Sequence, residues 1–130
     1  MLDHIGLQVS DYERSKRFYQ QVLATLGSTL LMEVSAEQSG NQAHAGFGAD
    51  SKPCFWISTA PAANHGRVHV AFTATDRHGV DAFHATALAA GARDNGAPGL
   101  RPHYHANYYG AFVLDPDGHN IEAVCHLPAA

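Results

Sequence analysis

Asp3-His4-Ile5-Gly6-Leu7-Gln8-Val9-Ser10-Asp11 is a histidine-led alternating run closed by a hydroxyl residue and an aspartate. Shifted by half the length of the 130-residue chain, it falls on Val68-His69-Val70-Ala71-Phe72-Thr73-Ala74-Thr75-Asp76, which has the same form. Phe18 then falls on Phe83 and Leu23 on Leu88, and Gly27 and Gly91 follow at nearly equal distances. Self-similarity over this span means two copies of one supersecondary unit.

Within each leading run the alternation has period two, the mark of a strand with two different faces. His4, Gly6 and Gln8 share one face and Ile5, Leu7 and Val9 the other. His69, Ala71 and Thr73 oppose Val68, Val70 and Phe72 in the same way. Both histidines therefore belong to the small, polar face. A helix follows: Ser10-Asp11 caps it, Glu13 suits its positive end, and Tyr12, Phe18, Tyr19, Val22, Leu23 and Leu26 form its apolar stripe up to Gly27. Its twin is capped by Asp76, presents Val80, Phe83, Ala87 and Leu88, and stops at Gly91.

Shorter strands are expected near Thr29 to Val34, Ala43 to Phe47 and Pro53 to Ser58. In the second copy they are expected near Ala92 to Asp94, Tyr108 to Leu114 and Asn120 to His126, the last two joined by the turn Asp115-Pro116-Asp117-Gly118. The fold class is thus α+β, with two tandem βαβββ modules in a single domain: module one over 1–58, a linker over 59–66 and module two over 67–127.

With 45% hydrophobic and 15% charged residues, the chain can bury roughly two-thirds of its unfolded surface in one such domain. Eight Lys and Arg against twelve Asp and Glu give a net charge of −4, which offers no positive field to a phosphate backbone and argues against nucleic acid as a partner. The two cysteines, Cys54 and Cys125, make no disulfide framework and fit a reducing compartment. Met1-Leu2-Asp3-His4 has neither a basic region nor an apolar run, and no stretch approaches the roughly 20 apolar residues that span a bilayer. The expectation is a cytoplasmic protein without a membrane partner.

A paired βαβββ unit with His near the start of each first strand, and with Asp115-Pro116-Asp117-Gly118-His119-Asn120-Ile121-Glu122 near the end, resembles the vicinal-oxygen-chelate superfamily. This is the group of glyoxalases, bleomycin-resistance proteins and extradiol dioxygenases. The resemblance implies that each unit curls into a half-barrel and that short members form homodimers. It also implies a divalent metal (Fe, Mn, Zn, Ni or Co) held by His4, His69 and Glu122, with a small oxygen-rich molecule as substrate. The fourth carboxylate of a glyoxalase I site is missing, and Trp56 stands where it would be. Three ligands instead match the pattern of the family's extradiol dioxygenases and fosfomycin-modifying transferases.

Imidazole and carboxylate suit these metals, and three protein ligands leave positions open for substrate oxygens. Between Gly96 and Tyr109 lies a second cluster dense in residues that bind rings and oxygens. From it come the candidate catalytic side chains Tyr109 and His105 and the candidate substrate contacts Arg101, His103, Tyr104 and Tyr108. Trp56 joins them from the cavity wall. Arg101 can grip a carboxylate or phosphate bidentately. Only one of the adjacent Tyr108 and Tyr109 can face the cavity; Tyr109 is favoured and Tyr108 stays open. Cys125 is expected to be buried and Cys54 to be strand packing. His44, His65, His78, His84 and His119 are expected on the surface. The rival function is a metal-free protein that traps its ligand in an aromatic groove.

Overall fold

The computed structural model describes residues 1–40, 42–60 and 66–129, and the chain folds as two compact units, Met1–Gly66 and Arg67–Ala130. Unit one runs β1 (Ile5–Val9), α1 (Tyr12–Ala24), β2 (Thr29–Val34), α2 (Ala36–Ser39), β3 (His44–Ala49) and β4 (Lys52–Thr59). Unit two runs β5 (His69–Thr73), α3 (Arg77–Ala89), β6 (Arg93–Leu100), β7 (Tyr109–Leu114) and β8 (Asn120–Cys125). The strand orders are β1-β4-β3-β2 and β5-β8-β7-β6, so each first strand lies parallel to the last strand of its own unit. A parallel pair needs a long crossover, and the helix supplies it. The α+β class and the tandem βαβββ order are those of the sequence reading.

α1 and α3 begin where the sequence places their caps, whereas the short α2, capped by Ser35, was not expected. The Asp11 carboxylate accepts from the Arg14 backbone N–H and that of Asp76 from the Gly79 N–H. α1 packs on β4, β2 and β3, and α3 on β7, β6 and β8. The core of unit one is aromatic: Tyr19 lies 5.0 Å from both Phe18 and Phe55 between ring centroids, with Phe47 beside them. That of unit two is aliphatic around Phe83, with Val80, Ala111, Val113 and Ile121.

Several expectations need correction. Leu88 is 38% exposed, and its place in the buried stripe of α3 goes to His84, whose Nε2–H donates to Asp94 at 3.0 Å. His119 is fully buried and its Nδ1 accepts from the Val68 N–H at 3.1 Å, so neither histidine is a surface residue. His44 is half-buried and His78 exposed, while His65 and most of the linker lie outside the described residues. Cys125 is buried, but Cys54 is exposed on β4 instead of packed. β6 runs on to Leu100, well past Asp94. Bulges at Gly96 (φ +150°) and before Gly99 let this edge strand accommodate glycine and proline that read as loop in sequence.

The β7–β8 turn is built on one buried carboxylate. Asp115 accepts from the backbone N–H groups of Asp117 and His119, both at 2.9 Å, and Gly118 turns at φ +86°. Asp115→Ala leaves both donors without that acceptor, and a loss of about 2 kcal/mol is expected. Urea denaturation checks this; an unchanged midpoint would mean that water replaces the carboxylate at no cost.

Candidate metal-ligating site in the second unit

His69 opens β5 opposite Asn120 of β8, and Ala71 pairs with Glu122 two residues on. The period of two places His69 and Glu122 on one sheet face, away from α3. The His69 Nδ1–H donates to the Asn120 carbonyl at 2.9 Å, and Nε2 faces Glu122 Oε1 at 3.2 Å, an ion pair when the ring is protonated and two metal-ligating atoms side by side when it is neutral. Glu122 is 2% exposed, and its other oxygen, Oε2, accepts from the Tyr108 hydroxyl. Burial and then this hydrogen bond push the Tyr108 hydroxyl up to about 12, so it remains a donor at neutral pH.

The supporting residues are particular to the site. Phe112, paired with Glu122 across β7–β8, stacks on the His69 ring at 6.1 Å and 23°, and the Arg101 guanidinium lies over Phe112 at 5.5 Å. A Cβ on Gly110 would come within 3.2 Å of both Glu122 Oε2 and the Tyr108 ring, so glycine there makes room for the carboxylate and its donor.

Of the expected site residues, His69, Glu122 and Tyr108 come together. Tyr109 does not join them: its hydroxyl donates to Asp81 of α3 at 2.6 Å, and Arg77 lies over its ring. β7 begins at Tyr109, and adjacent residues of an extended chain point to opposite faces, so choosing between the neighbours chooses the face. Arg101 donates to the carbonyls of Gly99 and Ala97, both at 2.9 Å, and so spends its fork on its own backbone. His103 and Tyr104 pack ring to ring at 4.2 Å on the exposed loop, with Tyr104 4.7 Å from Tyr108. His105 meets His126, not Glu122. Asn120, Phe112, Gly110 and His126 have a part at the site that the sequence reading does not assign them. The first three follow from strand pairing once register is known; His126 carries no local signal.

In the first unit, the counterparts differ. His4 lies just before β1, exposed, and its Nδ1–H donates to Asp3 at 2.7 Å; Lys52 and His4 hold the Asp3 carboxyl below the usual range. Trp56 pairs with Gly6 as Glu122 pairs with Ala71, so an indole occupies the register position of the carboxylate. A Cβ on Gly46 would lie 2.8 Å from that indole, which therefore rests directly on the glycine.

The donors of unit two fit a divalent metal: a buried carboxylate oxygen and an imidazole nitrogen face each other, with the outer imidazole nitrogen fixed by a carbonyl. Among the described residues, no three His, Cys, Asp or Glu side chains gather into a metal-holding group. The site is a pair supported by a tyrosine.

The sequence profile of the Glyoxalase/Bleomycin resistance protein/Dioxygenase superfamily matches residues 1–123. No curated protein matches the sequence. Among solved structures, a glyoxalase/bleomycin resistance protein from Albidiferax ferrireducens T118 is 29% identical with a TM-score of 0.74, covering 95% of this chain and 97% of that one. Glyoxalase I from Zea mays is 22% identical with a TM-score of 0.71, covering 96% of this chain and 46% of the maize chain. The fosfomycin resistance protein FosX from Listeria monocytogenes, solved as a mutant with Mn(II) and 1S,2S-dihydroxypropylphosphonic acid, is 17% identical with a TM-score of 0.68, covering 98% and 93%. At such identities the last two share the fold. The βαβββ repeat, its parallel closing pairs and a profile match over nearly the whole length agree: the chain belongs to the glyoxalase/bleomycin resistance protein/dioxygenase superfamily.

Proposed function

We propose that this protein is a divalent-metal-dependent enzyme acting on a small oxygen-rich molecule, with His69 and Glu122 as metal ligands. One observation carries the reading: His69 Nε2 and Glu122 Oε1 stand 3.2 Å apart while the outer imidazole proton is committed to Asn120. A buried carboxylate and an imidazole nitrogen so placed are satisfied by a proton on Nε2 or by a metal ion beside both, and a divalent metal is the occupant proposed here. His4, the third donor of the sequence reading, stays in the proposal; metal titration of His4→Ala decides its part. The metal, when bound, would polarise a substrate oxygen or stabilise an enolate or alkoxide.

The chain's own residues do the rest. Asn120 fixes the His69 tautomer and Phe112 its ring plane. Tyr108 keeps one Glu122 oxygen occupied and turns the other toward His69. The exposed rings of His103 and Tyr104 are the proposed substrate contacts, with Trp56 in the first unit. A homodimer is proposed on the family's habit and on the four sheet edges that two open sheets leave. A monomeric mass at micromolar concentration would remove it. No helix among the described residues is long and apolar enough to cross a membrane.

Metal content after anaerobic purification without chelators tests the reading. Near-stoichiometric metal in the parent and its loss in His69→Ala are expected. No metal even after reconstitution would mean that a proton on His69 satisfies Glu122, and would overturn the proposal. The second reading, metal-free trapping of a ring-bearing ligand, would then take over, favoured by the Trp56 indole on Gly46 and by Tyr104, which is 58% exposed.

A further inference from the structure

His105 and His126 are separated by 21 residues, yet His105 Nε2 and His126 Nδ1 stand 2.9 Å apart with ring centroids at 5.1 Å and planes within 29°. The proton in this contact can be assigned. The Asn107 backbone N–H donates to His105 Nδ1 at 3.1 Å, so that nitrogen is an acceptor and the neutral ring carries its hydrogen on Nε2. His105 Nε2–H therefore donates to His126 Nδ1. The bond joins the loop that follows β6 to the chain just beyond β8.

Tyr108 sits against this pair. Its ring meets His105 edge-on at 5.5 Å and His126 edge-on at 5.3 Å, while its hydroxyl donates to Glu122. Tyr108 precedes β7, so no ladder bond of a strand holds it; the backbone bonds nearest it are the Tyr108 N–H to the His105 carbonyl at 3.2 Å and the Arg101 N–H to the Tyr108 carbonyl at 2.8 Å. We propose that His126 is a positioning residue: through an imidazole-to-imidazole hydrogen bond with His105 it holds Tyr108 on Glu122.

From the proposed function this takes only that Glu122 is the carboxylate of the site, and the test uses metal-free protein, so either can fail alone. Tyrosine labelled with carbon-13 at Cζ reports whether the Tyr108 hydroxyl donates to a carboxylate. At about pH 8 the Tyr108 signal of His126→Phe should stand apart from the parent's, because the ring is no longer held against Glu122. The double variant His105→Gln/His126→Asn places an amide N–H and an amide oxygen where Nε2–H and Nδ1 were, and should return the signal to the parent's position. A dispersed amide spectrum certifies each variant as folded; if His126→Phe is not, His126→Ala takes its place. A His126→Phe signal equal to the parent's, or a double variant whose signal stays displaced, would overturn the proposal.

Discussion

Glu122→Ala is expected to weaken divalent-metal binding by at least about 100-fold, since the loss of outer-shell partners alone costs 10–100-fold in such sites. The residue is the only buried carboxylate on this face among the described residues, with one oxygen 3.2 Å from His69 Nε2 and the other under the Tyr108 hydroxyl. Its removal deletes the negative charge that a dication needs and leaves the tyrosine hydroxyl without its acceptor. Glu122→Gln separates the two effects. The amide oxygen can still accept from Tyr108, so the fold is expected to stand, but the charge is gone and metal affinity should fall almost as far. Titration calorimetry with Mn(II) or Zn(II) measures both variants beside the parent. Equal affinity in parent and Glu122→Gln would show that metal, if bound, sits elsewhere.

Phe55→Ala carries the largest expected effect on stability, about 3–5 kcal/mol. Phe55 is 1% exposed, in the central strand β4 of the first unit, between Tyr19 at 5.0 Å and Phe47 at 6.2 Å. Truncation opens a cavity walled by two large rings and the strands that carry them, which cannot collapse onto an alanine. A loss of that size is a large share of the 5–15 kcal/mol by which domains are stable, and should lower Tm by roughly 10–20 °C. Phe55→Leu keeps most of the apolar surface and should lose clearly less. Calorimetric or circular-dichroism melting decides; a Phe55→Ala Tm equal to the parent's would mean that the aromatic cluster does not hold unit one together.

The architecture was legible in the sequence because it is written in local, repeated signals. The histidine-led strands, the Asp11 and Asp76 caps and the turn at Asp115 to Gly118 each depend on a few neighbouring residues, and two copies of the pattern corroborate each other. β6 was the exception. Its Gly96, Pro98 and Gly99 lack the alternation that marks a strand, and only pairing with β7 through two bulges keeps it extended.

At the site, sequence determined which residue types were available, and strand parity brought His69 and Glu122 to one face. The tertiary structure decided the rest. It selected Tyr108 over Tyr109, because the first ladder pair of β7 is Tyr109 with Cys125 and the tyrosine inside the strand turns to Asp81. It turned Arg101 onto its own loop and buried His84 and His119 beside partners distant in sequence. It also brought His126 to His105 and fixed the tautomers of His69 and His105. Periodicity fixes which face a residue takes within its own strand, whereas a hydrogen-bond partner depends on the approach of distant strands, as for His119 and His126, or on the path of the loop itself, as for Arg101 and His105 Nδ1.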